Sequence, residues 1–382
     1  MCVVGSGMRF LSGISYYTLR LSNALAVSCD VSVVLMRRLL PAHIYPGRGR
    51  VGLELTRAKY APSIRVFDGV DWYWLPSIVR ALKFLVSQRP DFVVFEWWSG
   101  TVLHSYSVLA IAARCLGARI VIEFHELLDV GEMRFPAARA YVGLLAPFLI
   151  RMASALVVHS EHDRRALKEQ YRLRDRKVAL IPHGPYDHYQ LADEQQSLRT
   201  ASVACCNLLY FGVIRPFKGL EDLISAFDSI PEARIQDYWL TVVGETWEGW
   251  TLPSELMGRS RYRDRITFVN RYVRDEEVAA YFAGADAVVL PYHRSSASGP
   301  LHVAMSWGLP VIVTEVGGLP EAVARYEGAI LVKPRDPEGI RVAIEQVVKW
   351  KGRCFDDPHS WERSVERYGQ LLAQIDDGNP LT

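Results

Sequence analysis

Three absences narrow the class of this chain. No apolar run is long enough to cross a bilayer: the longest, 142–150, is broken by Pro147 and closed by Arg151, well short of the roughly 20 residues that a spanning helix needs. The first residues, Met1-Cys2-Val3-Val4-Gly5, carry no basic segment leading into a long apolar core. They read as a first strand rather than a secretory leader, so the expected location is the cytoplasm. The six cysteines show no paired metal-ligand spacing, which favours reduced thiols over a disulfide framework or a zinc centre. Cys205 and Cys206, adjacent at the start of a strand, read as packing. Neither a metal nor a nucleic-acid partner is expected.

What is present suits a large globular enzyme. A length of 382 residues, half of them hydrophobic, is a prior for two or three domains with substantial cores. A net charge of +2 conceals an asymmetry: residues 1–190 hold 24 Lys and Arg against 15 Asp and Glu, and residues 191–382 hold 20 against 27. A basic first half and an acidic second half suggest different partners for each, although an arginine-rich surface by itself would give the same count.

The strongest local signal lies in the second half. Leu208-Leu209-Tyr210-Phe211-Gly212 reads as a buried strand opening into Val213-Ile214-Arg215-Pro216-Phe217-Lys218-Gly219, with a helix from Leu220. Gly212 and Gly219 permit tight turns, the helix start offers unpaired N–H groups, and Arg215 and Lys218 add full positive charge. A diphosphate fits such a loop; solvated loop charges are the plain alternative. Short apolar runs at 239–243, 266–269, 287–292 and 310–314 then alternate with helical patterns at 276–283 and up to Gly308. That alternation means βαβ units on a parallel sheet, which binds ligands at the carboxyl ends of its strands. Gly212, Gly244, Asn270, Pro291 and Gly317 fall at those ends.

Five pieces in this order, Phe211-Gly212 to Lys218-Gly219, Val243-Gly244-Glu245, Ala285-Asp286-Ala287-Val288-Val289-Leu290-Pro291, Trp307-Gly308-Leu309-Pro310-Val311-Ile312 and Gly317-Gly318-Leu319-Pro320-Glu321, resemble the nucleotide-binding half of the family 4 glycosyltransferases of the GT-B fold. The resemblance implies an α/β chain of two doubly wound, Rossmann-like domains facing across a cleft. It places an acceptor-binding domain at 1–190, a linker at 191–203, a nucleotide-sugar-binding domain at 204–360, and a helix in 361–382 that returns to the first domain. It implies a retaining, metal-independent hexosyltransferase with a nucleoside-diphosphate sugar as co-substrate and no cofactor. The acceptor would be a cell-surface polysaccharide, a glycolipid or a related carbohydrate, with the basic half resting peripherally on anionic lipid at the inner face of the membrane. On the donor side it points to Gly212, Arg215, Lys218, Gly244, Arg271, Tyr272, Pro291, Ser298, Gly299, Leu301 and Glu321.

Two departures fall on chemistry. The family's two glutamates, eight positions apart, are replaced by Ser295 and Val303, and Val213 stands where an arginine usually follows the first glycine. Arg215 is expected to substitute for that arginine, and Glu321 is the leading carboxylate near the nucleotide. A helix-dipole role explains Glu321 equally well. Ser298-Gly299 resembles a pair found in some relatives, which marks a sub-branch.

The first half is a second βα array. Cys2-Val3-Val4 leads to Gly5-Ser6-Gly7 and Gly13, a helix follows at 14–26, and further strands are expected at 31–36, 92–95, 119–124 and 155–158. Strand ends on the acceptor side carry Glu96-Trp97-Trp98 and His125-Glu126, with Asp129 beyond. Trp97 and Trp98 read either as a stacking platform for a sugar or as aromatics closing a core. His125 matches the histidine that many relatives place near the transferred sugar, so Gly13, Trp97, Trp98 and Glu126 are the acceptor-side candidates, and His125 joins Arg215 and Lys218 as the catalytic ones. In His159-Ser160-Glu161-His162-Asp163, Ser160 reads as a helix cap completed by Asp163, and His183 as a turn residue. An NADP-dependent oxidoreductase, suggested by Gly5-x-Gly7 and by Arg37-Arg38, fails at Phe10, where the dinucleotide loop needs a small residue. A non-catalytic GT-B subunit assisting another transferase is the nearer alternative.

Overall fold

The computed structural model describes residues 1–8, 13–38, 56, 58–71, 75–126, 136–173, 176–189, 205–246 and 250–376. The expected linker at 191–203 and Asp129 lie outside them. The chain divides into two compact units, one comprising Met1–Glu54, Ala58–Gly184 and His359–Thr382, the other essentially Pro185–Pro358.

In the first unit, strands β1 (Cys2–Ser6), β2 (Ser32–Arg38), β3 (Arg65–Asp71), β4 (Phe92–Trp97), β5 (Arg119–Phe124), β6 (Ala155–Val158) and β7 (Val178–Leu180) alternate with helices α1 (Gly13–Leu25), α2 (Leu75–Gln88), α3 (Leu103–Cys115), α4 (Pro136–Met152) and α5 (Glu161–Gln170). The sheet order is β3-β2-β1-β4-β5-β6-β7, parallel at every pairing. Helices cover both faces, so β4 and β5 are buried along nearly their whole length and read as continuous rather than alternating apolar runs. Two charged residues interrupt them. Glu96 and Glu123 are fully buried and stand side by side in the β4–β5 register.

Local capping sets several boundaries. The Ser160 hydroxyl accepts from the backbone N–H of Asp163 and so starts α5, as its sequence indicates.

The second unit repeats the scheme with β8 (Cys206–Phe211), α6 (Leu220–Asp228), β9 (Tyr238–Val243), α7 (Leu252–Arg259), β10 (Ile266–Val269), α8 (Asp275–Ala283), β11 (Ala287–Leu290), α9 (Gly299–Ser306), β12 (Val311–Thr314), α10 (Leu319–Val323), β13 (Ala329–Val332) and α11 (Pro337–Val347). Its sheet order is β10-β9-β8-β11-β12-β13. The strand order reverses between β1 and β4 in one unit and between β8 and β11 in the other, the places where doubly wound sheets open a ligand crevice.

The final helix, α12 (Trp361–Asp376), belongs to the first unit. Trp361, Tyr368 and Leu371 pack in one cluster with Val3, Tyr17, Leu21 and Leu25. Gly184 allows this, because a Cβ there would lie 2.5 Å from the Trp361 indole.

Candidate functional site

In the second unit the site grows out of the β8–α6 turn. Residues Pro216–Lys218 form one 3-10 turn, and Gly219 follows at φ +64 as the N-cap of α6. A side chain at Gly219 is excluded twice: by the left-handed backbone and by the Pro291 carbonyl oxygen, which a Cβ would meet at 1.9 Å. The backbone of this turn therefore lies directly against the end of β11. The contact is reinforced where His293 N–H donates to the Phe217 carbonyl (2.8 Å) and the His293 imidazole pairs with Asp222 Oδ2 at 2.7 Å.

Three cations collect on this frame. The Lys218 ammonium sits 3.6 Å from the centre of the buried Tyr292 ring. Arg215 and Arg294 approach Phe217, with Cζ 5.9 Å and 4.3 Å from its ring centre. Arg294 escaped the sequence reading. Its available signal was an arginine four positions past the end of an apolar strand, in the loop that Pro291 and Ser298 had already marked.

The neighbouring strand ends are stitched together by backbone bonds from Gly212 N–H to the Val243 carbonyl and from Gly244 N–H to the Val269 carbonyl, both 3.0 Å. Gly244, at φ +153, packs so closely that a Cβ would lie 1.8 Å from the Gly212 carbonyl oxygen. Ser298 caps α9, its hydroxyl accepting from Leu301 N–H and lying 3.3 Å from the Tyr292 hydroxyl. Gly212, Arg215, Lys218, Gly244, Pro291, Ser298 and Gly299 thus fall on the adjoining ends of β8, β9 and β11.

Other donor-side candidates stand differently. The Leu301 side chain is buried and its N–H is already taken by Ser298, so it offers the loop no directed group. Arg271 is exposed and held by both carboxylate oxygens of Glu277, a pairing that lowers the Glu277 carboxyl to about 2. Tyr272 is half-buried beside it, and Glu321 lies exposed in the first turn of α10. Ser295 donates to the Ala297 carbonyl. Val303 is buried on α9, so a hydrocarbon occupies the place of the second expected glutamate.

In the first unit, three consecutive strands end in histidines. His125 follows β5, His159 follows β6 and His183 lies three residues beyond β7. Their rings surround Tyr17, at centroid distances of 4.4, 5.5 and 4.5 Å. His159 Nε2 lies 3.1 Å from His125 Nδ1, and His159 Nδ1 lies 3.0 Å from the Ile181 carbonyl oxygen. Burial depresses all three. His159 falls to about 4, and His125 and His183 fall well below the ordinary imidazole range, pushed further by their neighbouring histidines. Beneath them, Tyr17 donates to Glu123 Oε1 at 2.7 Å and Thr18 to Glu96. Burial lifts Glu96 well above the carboxylate range and Glu123 to about 7. Glu123, His125 and His159 present ligand-type atoms within 4.8 Å of one another.

The tryptophans need correction as a sugar platform. Trp97 stacks on Phe124 at 5.1 Å, Trp98 meets the edge of Tyr106 at 6.2 Å, and both belong to the core cluster of the sheet. Rings covered in this way offer no face to a ligand, so they act as core closers. Gly13 begins α1 and Glu126 follows His125, both exposed. Arg37, which a phosphate of NADP would require, is engaged by Asp71.

Comparison with known proteins matches both units. The family described as "Glycosyl transferase 4-like domain" covers residues 12–184, and that described as "Glycosyl transferases group 1" covers 205–349. A D-inositol 3-phosphate glycosyltransferase of Mycobacteroides abscessus is 31% identical over 336 residues, spanning 80% of this chain and 74% of that protein. One from Geodermatophilus obscurus is 27% identical over 300 residues, spanning 74% of this chain but only 63% of its own length. Anabaena HepE, solved in complex with UDP, superposes with a TM-score of 0.64 at 16% identity, over 99% of each chain. With each unit matched and a relative of this similarity across most of its length, the chain belongs to the family 4 type of glycosyltransferases, with the GT-B fold.

Proposed function

We propose that the protein is a retaining, metal-independent glycosyltransferase that moves a sugar from a nucleoside-diphosphate donor to a hydroxyl of a carbohydrate or glycolipid acceptor of the cell surface. The observation that carries this reading is the gathering of Arg215 and Lys218, on the turn that joins β8 to α6, with Arg294, from the loop after β11, around Phe217 and Tyr292. In the reaction the bond from the anomeric carbon to the diphosphate breaks, a bond to the acceptor oxygen forms, and the acceptor proton leaves with the diphosphate or to water. Negative charge grows on the departing diphosphate. Fixed cations aimed there stabilise the transition state more than the ground state, the task that Mg²⁺ performs elsewhere. His125 serves the transferred sugar, and the surplus of basic residues in 1–190 supports a peripheral contact with anionic lipid. HepE bound to UDP, and relatives named for an inositol phosphate acceptor, favour a uridine donor and a polyol or sugar acceptor.

The test is a melting-temperature and calorimetric screen of UDP, GDP and ADP, followed by hydrolysis of the corresponding sugar nucleotides. One nucleoside diphosphate should bind and its sugar should be slowly hydrolysed without any metal. Absence of binding by all three refutes the reading. The replacement of carboxylates by Ser295 and the buried Val303 favours one rival, an accessory subunit. Binding without hydrolysis or transfer until a second transferase is added would establish it.

A further inference from the structure

The histidines at the ends of β5 and β6 form a directed chain. A carbonyl oxygen only accepts, so the contact to Ile181 fixes the proton of His159 on Nδ1. A neutral imidazole has one N–H, which leaves His159 Nε2 a bare lone pair, 3.1 Å from His125 Nδ1. That contact is a hydrogen bond only if His125 carries its proton on Nδ1. His125 Nε2 is then a bare lone pair too, buried and with no hydrogen-bond partner among the described residues.

We propose that His159 is a positioning residue that holds His125 in the Nδ1–H tautomer, so that His125 Nε2 faces the ligand as a hydrogen-bond acceptor for a sugar hydroxyl. The proposal rests on the reading that His125 serves the transferred sugar. Neutrality of both rings follows from burial, which brings His159 to about 4 and His125 lower than its ordinary value. A charged pair would need a counter-charge. Glu123 Oε1 stands 3.8 Å from His159 Nε2, within ion-pair reach but beyond a hydrogen bond; that oxygen already accepts from Tyr17, and the burial that holds His159 neutral also pushes the Glu123 carboxyl towards protonation. The arrangement has a chemical consequence. A neutral acceptor neither repels the donor's diphosphate by charge nor attracts it, and it discriminates for ligands that bring an O–H and against deoxy analogues, since a buried acceptor left unpaired is costly. It also cannot donate a proton, so His125 does not act as a general acid.

The same atoms could instead converge on a cation, because two nitrogens and a carboxylate oxygen within 4.8 Å match first-row metal ligands. One experiment separates these readings without relying on activity. Ligand-free protein carrying ¹⁵N-labelled histidine is measured by two-bond ¹H–¹⁵N correlation near pH 7.5, with His125→Gln and His159→Gln used to assign the signals. The expected result is protonated Nδ1 and unprotonated Nε2 for both His125 and His159. Protonated Nε2 on His125 overturns the proposal, and so does loss of the His125 Nδ1 proton on adding one equivalent of Zn²⁺ with tight binding. In His159→Phe, His125 should shift towards the Nε2–H form; an unchanged tautomer removes His159 from the role. Kinetics then test the consequence on the sugar nucleotide hydrolysed fastest in the screen above. His159→Phe should lower kcat roughly tenfold, the cost of one misdirected hydrogen bond, with the KM for donor within about twofold. His159→Gln, whose side-chain carbonyl can take the place of Nε2 as an acceptor, should restore most of the rate. Equal and full activity of both variants overturns the proposal. If no donor is hydrolysed, the functional reading fails while the tautomer measurement still decides this one.

Discussion

Lys218→Met removes an ammonium from above the Tyr292 ring while keeping most of the length and apolar stem of the side chain. Two losses can follow, and their sizes differ. At 3.6 Å from the ring centre, on a tyrosine that is only 1% exposed, the cation–π contact is worth about 1 to 2 kcal/mol of stability. A charge-assisted bond to a phosphate oxygen is worth about 1.5 to 3 kcal/mol of binding, roughly ten- to hundredfold in affinity. The first loss appears as a lower urea midpoint in the absence of ligand. The second appears in the Kd for the nucleoside diphosphate, measured by calorimetry on the folded variant. If Lys218 serves the diphosphate, the Kd rises at least tenfold for the diphosphate and much less for the nucleoside alone. A variant that loses stability yet binds the diphosphate as tightly as wild type would show that the ammonium only packs on Tyr292, and the assignment of this loop would fall with it.

Gly244→Ala should cost more than about 2 kcal/mol, because a Cβ would meet the Gly212 carbonyl at 1.8 Å on a backbone at φ +153; an unchanged melting temperature would refute the tight packing of these strand ends. Glu123→Gln should flatten the pH profile of stability. Below about pH 4.5 the carboxyl is protonated folded or unfolded, but between there and about 7 only the unfolded chain ionises. Wild type therefore loses roughly 3 kcal/mol as pH rises through that window, and a urea-midpoint series from pH 5 to 8 should show the variant gaining on it. Glu321→Gln should lower donor turnover at an unchanged melting temperature; full activity would leave Glu321 only its place in the first turn of α10.

Much of the architecture was legible because parallel strands buried on both faces are written as dense apolar runs. Residues 119–124, 155–158 and 266–269 were bounded as the structure has them, and the Ser160 cap was marked by its own spacing. Strands with weaker patterns were not seen. Arg65–Asp71 carries Arg65, Asp68 and Asp71 and is largely exposed at its start, as expected of the sheet edge it forms, and Val178–Leu180 is only three residues long. The site divided along similar lines. Loop glycines and cations stand close in sequence, so the turn around Arg215 and Lys218 could be read directly. The histidine chain could not, because His125, His159 and Ile181 come together only through the β5-β6-β7 order. The tryptophans show the reverse failure: Trp97-Trp98 has the composition of a sugar platform, and only packing against Phe124 and Tyr106 reveals it as core.

The two units handle charge in opposite ways, and the departures from the family pattern sharpen that contrast. Around Phe217 the loops after β8 and β11 gather Arg215, Lys218 and Arg294, while Ser295 and Val303 stand where carboxylates would have offset them. Asp222 is answered by His293. Around Tyr17 the opposite holds: three histidines are driven neutral and two carboxyls are pushed towards protonation by the same burial. A diphosphate requires fixed charge because its own charge increases during transfer, whereas a sugar requires neutral groups whose direction is fixed. The resemblance gives the second of the two missing glutamates the ribose hydroxyls to hold, so Val303 in its place exchanges a directional contact for a more positive field. Donor binding should then depend on salt more steeply than on the 2′- and 3′-hydroxyls of the nucleotide.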